Sequence, residues 1–276
     1  MARMKSAAEI AKSPMLQGIL FQVDKKLRYL DLHNKFQEFY FIKDEEDEYI
    51  NKFVEFNDDI YYCGTDMICS LFNGFSTERD GRFGSLVLLN DKLYDLYQKE
   101  ITETLTDKFS YKIDNTSLTE LLEFNGNLFY TRQDTGSKGG DIYKVTREMG
   151  KFKGRKILKD GLKHDQNVRI LSKDDFISSD NYRIALNDKE LPECYSNGQN
   201  STYMDHIECF NHENDIVDIY YTVTWSGLYK AQVNVKKRKL ISKEIIHNTG
   251  KAYRRFLLVQ NENIHNRLIE MGENNG

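Results

Sequence analysis

Short runs of alternating apolar and polar residues cover most of the chain, and the clearest is Leu121 to Tyr130. Its two apolar arms flank Asn125-Gly126-Asn127. Asn-Gly tolerates the positive φ angles of a tight turn between right-twisted strands. The run Phe53 to Tyr62 repeats the same pattern closely. These two runs therefore predict a repeated hairpin of two strands.

Two further runs extend this first repeat. Ile207 to Tyr221 is a third copy, with a longer turn predicted from His212 to Asp218. Phe256 to His265 is a weaker fourth copy, which predicts another hairpin near the end of the chain.

A second type of hairpin follows the first in most cases, and it begins with a glycine or a polar residue, then an apolar strand and a charged turn. Its charged turns recur at intervals of roughly 40 to 65 residues, which overlaps the length of a four-stranded propeller blade. The copies begin at Gly18, Gly84, Gly140, Tyr182 and Gly227.

Both ends of the chain carry half of this pattern. Gly18 to Ile42 supplies a second-type hairpin with none of the first type before it, and Phe256 to Met271 supplies the reverse. We expect the two halves to meet in one shared blade, because ring closure removes exposed sheet edges. With this blade the sequence predicts five blades, of which the other four are Tyr49 to Tyr97, Thr119 to Lys159, Asn167 to Glu193 and Tyr203 to His247.

This array resembles a β-propeller over about nine-tenths of the chain, although it lacks the Gly-His and Trp-Asp marks of the WD type. The predicted fold class is therefore all-β: a β-propeller of five four-stranded blades, one of them closed by both termini, plus a short N-terminal helix or arm. We expect an arm over residues 1–17, a single propeller domain over 18–271 and a tail over 272–276. In architecture and composition the chain is also similar to propeller components of the tail nozzles of short-tailed phages.

Composition and charge narrow the function classes. The chain has 276 residues, a net charge of -4 and 30% charged residues, which argues against a dedicated nucleic-acid binder with a basic face. Its four cysteines show no paired metal-site spacing and no dense disulfide framework. The N-terminus lacks the apolar core of a signal peptide, which predicts a cytoplasmic protein, or a virion protein if the source is a phage.

The N-terminal segment is a candidate contact with other subunits. Alanines before Pro14 favour a short helix. Its apolar residues Met4, Ile10 and Met15 either pack on their own domain or dock on a partner. Partners would then be other protein subunits of an assembly, including copies of the same chain.

Candidate chemistry is sparse. His206, Cys209 and His212 form an H-x-x-C-x-x-H pattern, but alternate strand positions face opposite sides, so no metal site is expected. Gly136 to Gly140 lacks the full spacing of a phosphate-binding loop. Lys236 to Lys239 forms a basic hairpin tip, which predicts a solvated turn or a contact with nucleic acid or an acidic protein surface. No catalytic residue and no cofactor is predicted.

The sequence therefore predicts a non-enzymatic structural or interaction subunit of a larger assembly, such as a phage tail or head–tail component. The alternative is a propeller that binds carbohydrate or another small ligand, with Trp225, the one tryptophan, as the candidate ligand contact or as a packing residue. A glycoside hydrolase is a further alternative, because paired carboxylates such as Asp58-Asp59 and Asp174-Asp175 are plentiful.

Overall fold

Tight turns with left-handed residues organise the strands in the computed structural model of the chain. Asn125 and Gly126 have φ angles of 49° and 69°, and Asn57 and Asp58 have φ angles of 51° and 54°. Two successive positive φ angles fit the type I′ turn, whose twist matches that of the flanking strands. The hairpins predicted at Leu121 to Tyr130 and Phe53 to Tyr62 are therefore confirmed.

The structure describes eighteen stretches of the chain. They are residues 15–23, 26–34, 37–41, 50–79, 84–97, 100–106, 110–112, 117–133, 140–148, 151–156, 167–172, 174–179, 183–187, 189–191, 204–213, 215–248, 250 and 253–274. Met4 and Ile10 of the predicted arm lie outside these residues, and so does the loop 136–139.

In the described residues, twenty-four strands pair into six antiparallel sheets of four strands each. The first three blades contain these strands in chain order: β1 (Gly18–Val23), β2 (Lys26–Asp31), β3 (Gln37–Phe41), β4 (Lys52–Phe56), β5 (Asp59–Cys63), β6 (Met67–Ser70), β7 (Ser76–Glu78), β8 (Ser85–Leu89), β9 (Lys92–Tyr97), β10 (Glu100–Glu103) and β11 (Ser110–Lys112).

The remaining strands complete blades 4 to 6 and return to blade 1. They are β12 (Ser117–Phe124), β13 (Asn127–Gln133), β14 (Gly140–Glu148), β15 (Lys151–Lys156), β16 (Asn167–Ile170), β17 (Phe176–Ser179), β18 (Ile184–Leu186), β19 (Lys189–Glu190), β20 (Met204–Glu213), β21 (Ile216–Val223), β22 (Gly227–Asn234), β23 (Lys239–His247) and β24 (Tyr253–Val259). One helix, α1 (Glu262–Asn274), follows β24.

The six blades form a closed ring. Blade 1 has the strand order β24-β1-β2-β3, and each of the other blades uses four consecutive strands. The innermost strands contact their neighbours in the cycle β24, β4, β8, β12, β16, β20 and back to β24. Closure of one blade by both ends of the chain is therefore confirmed, and the fold is an all-β propeller.

The predicted number of five blades was wrong. The segment Tyr49 to Tyr97 holds blade 2 and the first half of blade 3, because the hairpin from Gly84 is the inner hairpin of its own blade. Its turn residues Asn90 and Asp91 have φ angles of 50° and 56°, as in the other inner hairpins. The outer strands of blade 2 are only four and three residues long, too short to show a clear alternation in the sequence.

Two hairpin details also differ from the prediction. The chain ends supply three strands and one strand to blade 1, since the stretch after Val259 forms α1 instead of a second strand. In blade 6 the strands β20 and β21 extend to Glu213 and Ile216, so the predicted long turn from His212 to Asp218 is short. A bulge between Phe210 and His212 takes up the extra residue.

Helix α1 follows β24 and packs against blades 1 and 2. The side-chain oxygen of Asn261 accepts the backbone N–H of Asn263 at 2.8 Å, which caps the helix N-terminus. Ile264 and Leu268 are fully buried against blades 1 and 2. The hydroxyl of Tyr29 lies 2.6 Å from His265 Nδ1. The helix therefore anchors the strand that closes the ring.

Candidate functional site

Equivalent positions of the six innermost strands bring two sets of side chains together at the channel. Cross-strand register aligns five of the strands, because each position has the same place opposite the second strand of its blade. On β24, where the register shifts between Phe21 and Val23, the alignment follows from Leu257, which pairs with Leu20. The first ring contains Lys52, Ser85, Glu120, Asn167, His206 and Arg255. The second ring, two residues further along each strand, contains Val54, Val87, Leu122, Arg169, Glu208 and Leu257.

The two rings differ in chemistry. Every residue of the first ring is polar. The second ring is apolar in blades 1 to 4 and carries an arginine and a glutamate in blades 5 and 6. The channel therefore has an apolar side and a charged side at the level of the second ring.

Arg169 is the centre of an ion-pair network. Its Nε and Nη2 atoms donate to the two carboxylate oxygens of Glu208, each at 2.8 Å. Its Nη1 atom donates to both carboxylate oxygens of Glu120, at 2.8 and 2.9 Å. One guanidinium thus links blades 4, 5 and 6, in the fork geometry that suits arginine.

Lys52 extends the network to blade 2. Its ammonium group donates to Glu120 Oε1 at 2.9 Å and to Glu208 Oε1 at 3.1 Å. The lysine side chain is 13% exposed, so these charges are largely removed from water. The network therefore connects strands on opposite sides of the channel.

His206 and Arg255 connect the network to blade 1. His206 Nε2 lies 2.9 Å from Glu208 Oε1, and its Nδ1 atom lies 3.0 Å from Arg255 Nη1. A neutral imidazole with its proton on Nε2 donates to the glutamate and accepts from the arginine. Arg255 also donates to Asn167 Oδ1 at 2.8 Å.

The surroundings shift the pKa values of these groups in the directions that fit the contacts. Burial by itself would raise the pKa of Glu120, but the positive charges of Arg169 and Lys52 outweigh it and lower this pKa to about 2. The pKa of Glu208 is likewise held well below its usual range by Arg169 and Lys52, against the effect of burial. Burial lowers the pKa of His206 to about 4.

A cavity of about 410 Å³ lies in the channel next to this network. All six innermost strands contribute to its wall, and so does Gln260, the residue directly after β24. Its apolar lining includes Val54, Val87, Leu88, Leu122, Ile170 and Leu257. Its polar lining consists of Lys52, Arg169 and Glu208 of the network together with Glu55, Glu123 and Gln260.

Glu55 and Glu123 line the cavity towards the C-terminal ends of the inner strands. Glu55 Oε1 accepts the backbone N–H of Gln260 at 2.9 Å, and burial raises the pKa of this carboxyl group. Glu123 is exposed, and its Oε1 atom accepts the N–H of Gly126 at 2.8 Å. Both carboxylates therefore also hold backbone segments near the opening.

The residues singled out in the sequence lie elsewhere, except for His206 and Cys209. Trp225 is 56% exposed in the β21–β22 turn and does not line the cavity. Met15 is 61% exposed. Asp58 accepts side-chain N–H groups of Asn261 and Asn263 beside α1. His206, named above as part of a metal-like pattern, belongs to the first ring.

Metal chemistry finds no support in the described part of the chain, where no three His, Cys, Asp or Glu side chains are grouped to hold a metal ion. Cys209 lines the cavity, and burial raises its thiol pKa to about 12. No helix within the described residues is long and apolar enough to cross a membrane.

The first ring was detectable in the sequence. In the repeats Phe53 to Tyr62, Leu121 to Tyr130 and Ile207 to Tyr221, the residue five positions before the shared asparagine is Lys52, Glu120 or His206. The residue at this position is polar in each repeat, but its charge differs from one repeat to the next. The position therefore does not serve the repeated scaffold. Comparison of the conserved parts of the repeats alone misses this signal.

Comparisons with known proteins identify the fold. No protein-family model matches the chain, and no curated protein matches it. Among solved structures, the β-propeller domain of Cps50 (Swd1) from Myceliophteria thermophila matches with a TM-score of 0.52 and 9% identity, over 90% of this chain and 96% of that one. Virginiamycin B lyase from Staphylococcus aureus with quinupristin matches with a TM-score of 0.45 and 12% identity, over 75% and 92% of the two chains.

The dihydro-heme d1 dehydrogenase NirN matches with a TM-score of 0.42 and 10% identity over 91% of this chain. The chain spans only 58% of the length of that dehydrogenase structure. At these identities the likeness shows the propeller fold alone, and the named proteins differ widely in function.

Proposed function

We propose that this propeller is a non-enzymatic binding protein that takes a small, largely apolar ligand into its central channel. The observation that carries the proposal is the cavity of about 410 Å³ lined by all six blades. This volume falls within the range of about 300–1,000 Å³ that is typical of small-molecule pockets. The apolar side of the second ring would bury the body of the ligand.

The ligand is expected to carry a hydrogen-bond acceptor. Lys52 uses two of its three ammonium protons, on Glu120 and Glu208, which leaves one donor on a residue that lines the cavity. Lys52, Arg169 and Arg255 carry three positive charges, one more than the two negative charges of Glu120 and Glu208. The carboxylates Glu55 and Glu123, which line the same cavity, oppose this excess. A carbonyl, ether or hydroxyl oxygen on an uncharged ligand suits this balance best.

The network favours binding over catalysis. Glu120 and Glu208 already accept hydrogen bonds from cations, and their lowered pKa values keep them ionised. A general acid near neutral pH needs a carboxyl group with a raised pKa. Glu55 has a raised pKa, but its bond to the Gln260 amide gives it a structural role at the start of α1.

Titration with Nile red, an uncharged apolar dye with a carbonyl oxygen, tests this proposal. We expect saturable binding at one site per chain, and we expect Val54→Phe to weaken it more than about tenfold by filling the cavity. Leu105→Phe is the matched control, since Leu105 is 42% exposed and does not line the cavity. Equal binding by the wild type and both variants would contradict a channel site.

A second candidate function is that of an interaction subunit in an assembly. The supporting observation is a group of exposed apolar residues in blade 6, where Trp225, Ile241 and Ile245 are 56%, 52% and 57% exposed. Exposed apolar residues that are grouped on one surface indicate a contact surface, whereas scattered ones do not. The narrower assignment to a phage tail or head–tail particle stays a prediction from composition.

A further inference from the structure

The outer half of blade 6 concentrates exposed apolar side chains. Five large hydrophobic residues are exposed in the described residues, and three of them, Trp225, Ile241 and Ile245, belong to this blade. Ile241 and Ile245 lie on β23, the outermost strand, whose residues are mostly exposed. The free edge of the sheet and the apolar side chains therefore occur on the same strand.

The same part of the chain is basic. From residue 215 to residue 247 the sequence has six Lys and Arg residues and three Asp and Glu residues, although the whole chain has a net charge of -4. Lys230 and Lys236 pair with Asp218 and Asp215, at 3.0 and 2.6 Å.

The hairpin tip next to β23 carries positive charges that no described residue neutralises. Lys237, Arg238 and Lys239 are exposed, and none of the three makes an ion pair with any residue that the structure describes. Midway along β23, Lys243 lies with its ammonium group 5.1 Å from the ring centre of Tyr229. Positive charges thus occur at the tip and midway along the strand, with Glu244 on the opposite face from Lys243.

Trp225 lies beyond the other end of β23. Ile245 is a close neighbour of this turn, since a Cβ atom built on Gly227 would lie 3.6 Å from Ile245 Cγ2. Trp225 itself has a φ angle of 63°, a left-handed conformation that is unfavourable for a residue with a side chain. An exposed tryptophan held in a strained turn indicates a binding role better than a packing role.

Bulges at Ile241 and between Leu228 and Tyr229 interrupt the register of β23 with its neighbour. Bulges and lysines on an edge strand oppose continuous pairing with the same strand of another copy. The charge pattern instead complements an acidic segment. A chain segment of about nine residues in extended form spans the length of this strand.

We propose that the outer surface of blade 6, formed by Trp225, Lys237, Arg238, Lys239, Ile241, Lys243 and Ile245, binds an extended acidic segment of a partner protein. Carboxylates of the partner pair with the basic tip and Lys243, and apolar side chains between them contact the two isoleucines and the tryptophan. This contact lies outside the channel cavity, so it is independent of ligand binding there.

Fluorescence anisotropy with a labelled nine-residue peptide that alternates glutamate and valine tests this proposal on the full chain. A peptide that alternates lysine and valine is the charge control. We expect the acidic peptide to bind and the basic one not to bind. Binding should weaken as salt is raised, because exposed charges are screened.

Two sets of variants separate the apolar and the charged contributions. We expect Ile241→Ser with Ile245→Ser, and separately Lys237→Glu with Arg238→Glu and Lys239→Glu, each to weaken binding more than about tenfold. Leu105→Ser and Lys26→Glu, both at exposed positions of other blades, should bind as the wild type does. Thermal unfolding of each variant checks that the fold is retained.

Three results would overturn the proposal. Equal affinity for the acidic and basic peptides would show that charge is not recognised. A glycan bound through Trp225 in preference to the peptide would assign the surface to carbohydrate. A dimer in solution that dissociates with Ile241→Ser and Ile245→Ser would assign it to a second copy of the chain.

Discussion

Arg169 and Glu208 form a two-pronged ion pair at the charged side of the channel, with both N–O distances at 2.8 Å. They occupy the same repeat position in blades 5 and 6, where the other four blades have valine or leucine. Removal of charges from water costs free energy, which the pair regains through its geometry and through the further bonds to Glu120 and Lys52. The main effect of the network is therefore to fix the relative positions of several blades. Its net contribution to the free energy of unfolding is smaller.

Replacement of Arg169 by methionine should be strongly destabilising. The change leaves the buried Glu120 and the partly buried Glu208 with one cation, Lys52, between them, and loss of one partner from a buried pair costs about 3–5 kcal/mol. Urea unfolding measures the free energy of unfolding. Arg183→Ala is the control, because the Arg183–Glu190 pair is about half exposed and such pairs contribute less than about 1 kcal/mol. A similarly small loss in both variants would contradict this prediction, because it would show that Glu120 and Glu208 do not depend on Arg169 for a partner.

Stability should fall as the pH is lowered from about 6.5 to about 4. His206 has a pKa of about 4 in the folded protein against 6.5 in the unfolded chain, so the unfolded state binds more protons in this window. Each pKa unit corresponds to about 1.4 kcal/mol, which gives a loss of about 3 kcal/mol from this residue by pH 4.

The matched variant for this test is His206→Gln, which removes the titrating group and keeps a polar side chain. Urea unfolding at pH 7, 5.5 and 4.5 should show a shallower fall in the variant than in the wild type. Glu120 adds its own loss below about pH 4.5, because the unfolded chain then binds a proton that the folded carboxylate, with a pKa of about 2, does not bind. Parallel pH profiles for the two proteins would show that His206 is not the group responsible.

Truncation of Leu268 should show how far α1 secures the closing blade. Leu268 is fully buried against blades 1 and 2, and Leu→Ala at such a site costs about 2–5 kcal/mol. Glu270→Ala, on the exposed side of the same helix, should change stability by less than about 0.5 kcal/mol. Chemical unfolding of both variants gives the comparison, and equal values would mean that the helix does not support the ring.

Trp225→Asn should stabilise the protein while it removes a binding contact. Asparagine tolerates the left-handed region in which Trp225 lies, so we expect a gain of about 0.5–1 kcal/mol in the free energy of unfolding. Affinity for the acidic peptide should fall in the same variant. A loss of stability would show instead that Trp225 packs, which was the other interpretation of the sequence.

The repeated turn residues in the sequence predicted the inner hairpins, whereas the short outer strands of some blades were missed. Asn-Gly and Asn-Asp turns made the inner hairpins visible, because positive φ angles restrict the residue types at these positions. The short outer strands β6, β7, β10 and β11 gave no such signal, so one blade was overlooked.

The channel was harder to foresee than the blades. The residues of the two rings are far apart in the chain, for example Lys52 and Glu208, and only ring closure brings them within 3.1 Å. With five blades in place of six, the same residues would not be assigned to one common ring. The polar residue at each repeat position was present in the sequence, but its meaning depends on the closed geometry.

The most direct test of the channel as a binding site is a crystal structure of the protein grown with Nile red. The account predicts density for the dye in the cavity, against Val54, Leu122 and Leu257, with its carbonyl oxygen towards Lys52. Dye bound only on outer surfaces, with the channel free of it at saturating concentration, would contradict the account.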